Sequence, residues 1–408
     1  MYRLVNGIPV WGEHDEATLG QIRRCAGDPE VAGAALMADG HKGYSMPIGG
    51  VVAYRNAVSP SGIGYDISCG NKAVLTDVRA DDLRPDIKRV MDQVARTVVF
   101  GVGQTSGKVT NHELFDDPTW RDVPHLQKLK QLAGEQLGTV GSGNHFVDIF
   151  EDEEGRVWVG VHFGSRGFGH RTASGFLNLA AGRKFDDKAP GEHMDQPATV
   201  IGLDTELGQA YWQAMNLAGR YAYAGRDFVV SQVLEILGAA ELDAVHNHHN
   251  FAWRERHNGE DLIVIRKGAT PAWPGQRGFV GGSMGDISVI IEGVDSDAAQ
   301  AALNSTIHGA GRLMSRTRAA GRRRWVREKG RRVLKTVKAG EISREMMLEW
   351  VRNKRVELRG AGTDESPHVY RPLREVLEAH ADSIRIVHTL RPMGVAMAGE
   401  DEFDPYKD

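Results

Sequence analysis

Apolar and polar residues alternate over about 48 to 54, 156 to 162, 262 to 267, 287 to 292 and 384 to 389, the two-residue period of a strand with one buried face. Over about 83 to 97, 124 to 133, 206 to 237 and 342 to 357 the apolar positions recur with the 3.6-residue period of a helix. Pro124 suits the first turn of the second helix, and Asp204 or Thr205 can cap the third. The two kinds of element follow one another irregularly. No βαβ rhythm runs through the chain and no G-x-G-x-x-G follows a first strand, which speaks against a doubly wound dinucleotide fold. The expected class is α+β, mixed sheets flanked by helices in one composite domain. Polar motifs extend from Asp39 to His308 and on into the 390s, so no linker sets a site-bearing unit apart, and a single domain over residues 1–399 is expected. Residues 183 to 200 read as a polar surface excursion and 400 to 408 (EDEFDPYKD) as an acidic tail.

At 408 residues the chain can bury a large core without staples. Glycine is in excess, 49 residues against a usual share of ~7%, and it gathers around the polar motifs, where tight backbone turns near a ligand need it. The only cysteines are Cys25 and Cys69, which excludes a disulfide framework. The opening residues, MYRLVNGIPVWGEHDEATL, hold neither a basic leader nor an apolar signal core, and no stretch approaches the ~18 apolar residues of a membrane span. The expectation is a soluble protein of a reducing cytoplasm. The net charge of −4 conceals a basic segment: residues 312 to 338 carry twelve Lys or Arg and one acid, Glu328. With Trp325 embedded in RRRWVREKGRR, it could grip a polyanion backbone; the plainer alternative is a solvated, charge-rich helix.

The chemistry begins at GIGYDISCG (62 to 70), where Asp66 and Cys69 stand three residues apart. Glycines there allow the carboxylate and thiolate to converge on one metal ion, which would keep the sulfur deprotonated. A buried cysteine beside a capping Asp is the plainer reading, but four histidine-bearing segments outweigh it. His145 in GSGNHF and His162 in VHFGSRG are each delivered where strand meets turn. In HNHHN, adjacent imidazoles cannot all face one metal, so at most one or two of His246, His248 and His249 are ligands and the others act behind them or in packing. HGAGRLMSR places Arg312 and Arg316 one helical turn apart near His308, an arrangement that can hold two phosphates beside one imidazole. Asp39, His41 and Lys42 in ADGHKG precede a strand; taken alone, that segment reads as a surface turn.

In order, ADGHKGYSMPIGGV, GIGYDISCG, GSGNHF, HFGSRG, HHN, GGSMG, HGAGRLMSR, Pro367 to Tyr370 and RPMGV closely resemble the motifs of the RtcB family of RNA-splicing ligases, from about residue 36 to residue 399. The resemblance implies a GTP- and Mn2+-dependent RNA ligase, joining 3'-phosphate or 2',3'-cyclic phosphate ends to 5'-hydroxyl ends through a covalent histidine-guanylate. By that resemblance Cys69 bridges two Mn2+ ions, one also held by Asp66 and His145, the other by His162 and His249, and His308 is the nucleophile. Asn144 would position the triphosphate, Asp148 accept from the guanine edge and Tyr370 stack on the base. Ser283, Gly309, Ala310 and Gly311 would line the nucleotide pocket, and Arg166, Arg312 and Arg316 would meet RNA phosphates. The implied partners are RNA with such ends, GTP and an archease-like activator.

The chain departs from the family pattern in places. Met397 stands where the family commonly has a lysine that contacts guanine, and Asp148 where it commonly has the longer Glu; Lys407 of the tail could fold back in compensation. Thiolate and imidazole donors also lean toward later metals than manganese. Two other readings follow: a paralogue that nucleotidylates or processes nucleic-acid ends without efficient sealing, with GTP or ATP, and an RNA-binding protein that keeps the metals for structure.

Overall fold

The computed structural model describes residues 1–188, 194–328, 331–400 and 402. Two largely antiparallel sheets organise it. A six-stranded sheet runs in the order Arg3–Val5, Ile8–Val10, Val31–His41, Ile48–Tyr54, Glu260–Lys267, Asn250–His257. The eight-stranded sheet runs Glu241–His248, Gly70–Arg79, Arg156–Phe163, Phe146–Glu151, Ile384–Gly399, Ser288–Gly293, Arg277–Val280, with Glu357–Ala361 lying parallel beside Ile384–Gly399. The mixed α+β class and the absence of a doubly wound sheet hold.

The helix Glu206–Leu237 is 32 residues long, about 48 Å at 1.5 Å per residue. The Thr205 hydroxyl accepts from Gly208 N–H at its start, and Gly238, in the left-handed region at φ +63°, ends it. Tyr211, Met215, Leu217 and Tyr221 pack into a core with Trp120, Phe168 and Phe176. Val229, Val230 and Val233 enter a second core with Val159, Val161 and Phe163 behind the eight-stranded sheet. One helix therefore joins two apolar clusters. Among the described residues no helix is long and apolar enough to cross a membrane.

All five expected strands form, and the last extends to Gly399 because PMGVAMAG continues as a buried partner of Phe146–Glu151 past an irregularity at Pro392/Gly394. Thr205, not Asp204, caps the long helix. Pro124 does not open a helix: His125 has φ +77°, and helical structure starts as a short 3-10 turn at Gln127–Leu129 before Lys130–Gln136. The basic segment is no charge-rich helix. After a short helix, Arg316–Ala320, it folds into the hairpin Gly321–Glu328 and Arg331–Ala339, in keeping with the strand preference of its Val, Thr and Trp residues. Most of the acidic tail, with Lys407, and residues 189–193 of the polar excursion lie outside the described residues.

Candidate active site

Four strand ends of the eight-stranded sheet meet at one edge. Gly70–Arg79 begins directly after Cys69 and Phe146–Glu151 directly after His145, while Arg156–Phe163 ends around His162 and Glu241–His248 just before His249. These strands are neighbours and antiparallel, so the starts of two and the ends of the other two lie side by side, with His162 opposite Asn71 and Phe146, and His248 opposite Gly70. Loop backbones lock the arrangement. His249 N–H donates to Cys69 C=O at 2.9 Å, Ser68 N–H to Asn250 C=O at 2.7 Å, and Ser165 N–H to Ile67 C=O at 3.2 Å. Gly164 is required here, because a Cβ on it would stand 2.1 Å from Asp66 Oδ1.

Each of the three imidazoles is held by Nδ1, which leaves Nε2 as the free lone pair. His145 Nδ1–H donates to Val140 C=O at 2.9 Å, His162 Nδ1–H to Asn71 Oδ1 at 2.6 Å, and His249 Nδ1–H to Asn250 Oδ1 at 3.3 Å. His145 Nε2 lies 3.1 Å from Asp66 Oδ2 and 3.6 Å from Cys69 Sγ, and His162 Nε2 lies 3.7 Å from the same sulfur. Two ligand groups result, Asp66–Cys69–His145 and Cys69–His162–His249, with Cys69 common to both. Buried His249 Nε2 has no hydrogen-bond partner, as a coordinating nitrogen awaiting an ion would. Burial, with Asp66 beside it, pushes the Cys69 thiol well above its ordinary pKa; burial and then the neighbouring imidazoles hold His162 and His249 well below theirs. Neutral imidazoles are the form that binds metal, and a cation would reverse the thiol's preference. The donor set fits a pair of divalent ions.

The six-stranded sheet brings the other half. Asp39, near the end of Val31–His41, is fully buried and no surface turn: its Oδ2 accepts from His308 Nδ1–H at 2.6 Å, His308 N–H at 3.0 Å and Gly309 N–H at 3.2 Å. Burial opposes ionisation of Asp39, but the charge and hydrogen bonds of His308 outweigh it and lower its pKa. With Nδ1 engaged by Asp39, His308 Nε2 carries the ring's lone pair, and the ring centroid is 4.7 Å from that of His249. Gly311 has φ +75°, and a Cβ there would meet Asp39 C=O at 2.5 Å. Gly281 and Gly309 form a parallel bridge that sets HGAG against GGSMG, while Asn144 Nδ2 lies 3.4 Å from His162 Nε2. In GGSMG, Ser283 C=O accepts from Asp286 N–H. Asp148 is buried with Oδ1 unpartnered, and burial holds its carboxyl well above the usual range. It pairs with Val395, and Phe146 on the same face pairs with Met397.

The three arginines are turned toward protein partners. Arg166 donates to Thr139 Oγ1 at 3.1 Å and Gly101 C=O at 3.1 Å. Arg312 and Arg316 do not share a helix face, since the helix begins only at Arg316 behind its Ser315 cap. Both nevertheless converge on two buried acids: Arg312 bonds Glu365 at 3.1 Å and Tyr370 Oη at 2.9 Å, and Arg316 bonds Asp364 at 2.9 Å and Glu365 at 3.2 Å. The Arg312 guanidinium covers the Tyr370 ring at 5.0 Å.

Sequence reasoning missed Asn71, which orients His162, and Arg226, which lies buried below the ligand loops. Arg226 donates to His246 Nε2 at 2.8 Å and His248 Nδ1 at 3.1 Å, so those two rings serve the arginine and His249 alone of the HNHHN run faces the site. The signal was a charged residue among the apolar positions of a helix, in AYAGRDFVV.

Likeness to known proteins points to one family. The family model "tRNA-splicing ligase RtcB" matches residues 21–121 and 119–398. The chain is 31% identical to the tRNA-splicing ligase RtcB of Thermococcus kodakarensis, covering 88% of this chain and 86% of that protein. It is 29% identical to the RNA-splicing ligase RtcB of Escherichia coli K12, over 88% of each. It is 30% identical to the tRNA-splicing ligase RtcB of Archaeoglobus fulgidus, over 92% of this chain and 90% of the relative. With its twin ligand groups meeting at Cys69 and His308 beside them, the chain belongs to the RtcB family of RNA-splicing ligases.

Proposed function

We propose that this protein joins RNA 3'-phosphate or 2',3'-cyclic phosphate ends to 5'-hydroxyl ends, with GTP as cosubstrate and two Mn2+ ions. The observation that carries the reading is Asp39-held His308 beside His249, within the cluster centred on Cys69. Asp66 and His145 would hold one ion, His162 and His249 the other, with Cys69 between them. Bound there, the ions would neutralise phosphate charge and align the reacting oxygens. Manganese is chosen by likeness to the family; triphosphate oxygens would add the hard donors it prefers.

In the first step His308 Nε2 attacks the α-phosphorus of GTP. A P–N bond forms, the α–β bridging P–O bond breaks, and pyrophosphate departs. Asp39 fixes the ring and stabilises the positive charge that develops on it. The RNA 3'-phosphate then displaces His308, taking the guanylate, and the 5'-hydroxyl of the second end attacks the activated phosphorus and expels GMP. Beforehand, water attacks the phosphorus of a 2',3'-cyclic phosphate and the bond to O2' breaks, leaving the 3'-phosphate and a 2'-hydroxyl. Asn144 would meet the triphosphate; Ser283, Gly309, Ala310, Gly311 and Tyr370 would form the nucleotide pocket, where the unpartnered Asp148 carboxyl can accept from guanine N–H groups. Arg166, Arg312 and Arg316 would supply positive potential for the RNA strand. Incubation with α-labelled GTP and Mn2+ should label the wild type and leave His308→Ala unlabelled; no label on wild type from GTP or ATP defeats the reading.

The paralogue alternative is favoured by Asp148 and Met397, since burial raises the Asp148 pKa and so disfavours the ionised form that accepts best from guanine, and a methionine cannot donate to the base. Labelling with ATP at or above the GTP rate, without sealing of a nicked RNA hairpin, would select it.

A further inference from the structure

We infer that Arg226 is a positioning residue that holds the loops bearing Cys69, His162 and His249 in mutual register, so that the two ligand groups exist before an ion arrives. This rests on the metal-dependent reading above. Arg226 comes from the second half of Glu206–Leu237, has no exposed surface, and directs its donors to three separate segments. One terminal nitrogen donates to Ser68 C=O at 3.0 Å, adjacent to Cys69, and to Phe163 C=O at 2.6 Å, adjacent to His162. The other donates to His248 Nδ1 at 3.1 Å, adjacent to His249, and Nε to His246 Nε2 at 2.8 Å. Three of the four bonds thus fall on the residue next to a ligand, and the fourth falls on His246 of the strand that leads to His249. The rigid guanidinium fork fixes angles as well as distances, which a lysine cannot do.

Its cost argues the same way. A fully buried cation is expensive without a counter-charge, and no carboxylate bonds Arg226 among the described residues. Buried Arg266, on a strand of the other sheet, shows the ordinary solution: two bonds to Glu255 at 2.8 and 3.0 Å. Of the carboxylates that act on it through space, Asp227 follows it in the helix and Asp66 belongs to the site.

The test uses Mn2+ alone, with free metal read by electron paramagnetic resonance and the melting temperature of the metal-free protein measured in parallel. Wild-type protein is titrated first; failure to bind Mn2+ there would sink the metal-dependent reading itself, not this inference. For Arg226→Lys we expect about 10- to 100-fold weaker Mn2+ affinity, the usual effect of losing an orienting partner, with GTP labelling recovered at high Mn2+. Arg266→Lys is the control: it should lower the melting temperature and leave Mn2+ affinity unchanged. If Arg226→Lys binds Mn2+ as wild type does, or if Arg266→Lys weakens binding equally, the inference is overturned. Should Arg226→Lys not fold, His246→Leu removes one acceptor and leaves the arginine in place. A several-fold loss of affinity then supports the inference, and an unchanged affinity overturns it.

Discussion

Asp39 Oδ2 receives three N–H groups from His308 and Gly309, the shortest from His308 Nδ1 at 2.6 Å. A carboxylate so placed fixes both the tautomer and the direction of the imidazole. Asp39→Asn keeps the shape but removes the charge that steadies the ring as it becomes cationic. Its rate of GTP labelling should fall about a hundredfold or more, while circular dichroism stays that of wild type. Labelling at the wild-type rate would show that Asp39 serves structure alone.

Two ligand groups that share one sulfur should lose metal in a characteristic way. We expect about two Mn2+ per chain, removed by chelation together with GTP labelling. His145→Ala should weaken one class of site and His249→Ala the other, whereas Cys69→Ala weakens both. Equal and independent losses in all three variants, counted by equilibrium dialysis, would contradict a common sulfur.

Asp148 gives a pH signature. Its folded pKa is raised by burial, so the folded chain keeps a proton that the unfolded chain releases as pH rises past the ordinary Asp value. Stability from this group is intact below that value and is lost as pH climbs toward the folded pKa. Asp148→Asn, which cannot ionise, should melt near the wild-type temperature at pH 4 and above it at pH 8. A difference that does not grow with pH would show that Asp148 is stabilised as the anion.

Arg312, Arg316, Asp364, Glu365 and Tyr370 form a network in which both acids are nearly inaccessible. Removing one side of a buried pair leaves the other uncompensated, so Glu365→Ala should cost about 3–5 kcal/mol in urea unfolding. A loss below about 1 kcal/mol, the range of exposed pairs, would mean that the network is solvated in solution.

The hairpin Gly321–Glu328 and Arg331–Ala339 sets Arg322 opposite Lys338, and both are exposed. Like charges across a ladder repel unless a polyanion lies over them. Arg322, Arg327 and Lys338, changed together to Ala, should weaken RNA binding and flatten its dependence on salt by up to about three counterions, with GTP labelling unchanged. An unaltered salt slope would remove the arm from the RNA path.

The site was more legible in the sequence than the fold. Cys69, His145, His162 and His308 sit among glycines at the ends of elements, where local pattern is strong. The strand Gly70–Arg79 escaped detection because its neighbours cover both faces and alternation is lost, as its buried middle attests, while Glu241–His248, at the sheet edge, has a polar, half-exposed start with no apolar alternation to read. Asp39 was misjudged for a related reason: ADGHKG looks polar and exposed until a loop 269 residues away closes over it. Arg226 was hidden because its four acceptors come from three distant segments that no local window can join.

The long helix carries a last consequence. Since Glu206–Leu237 is embedded in two apolar clusters and passes beneath the ligand loops through Arg226, neither half of the chain can open while the other stays closed. Amide protons in its middle turns should exchange with solvent only when the whole molecule unfolds. Catalytic competence and global folding therefore rise and fall in one transition, and no shorter fragment lacking this rod can be expected to retain metal.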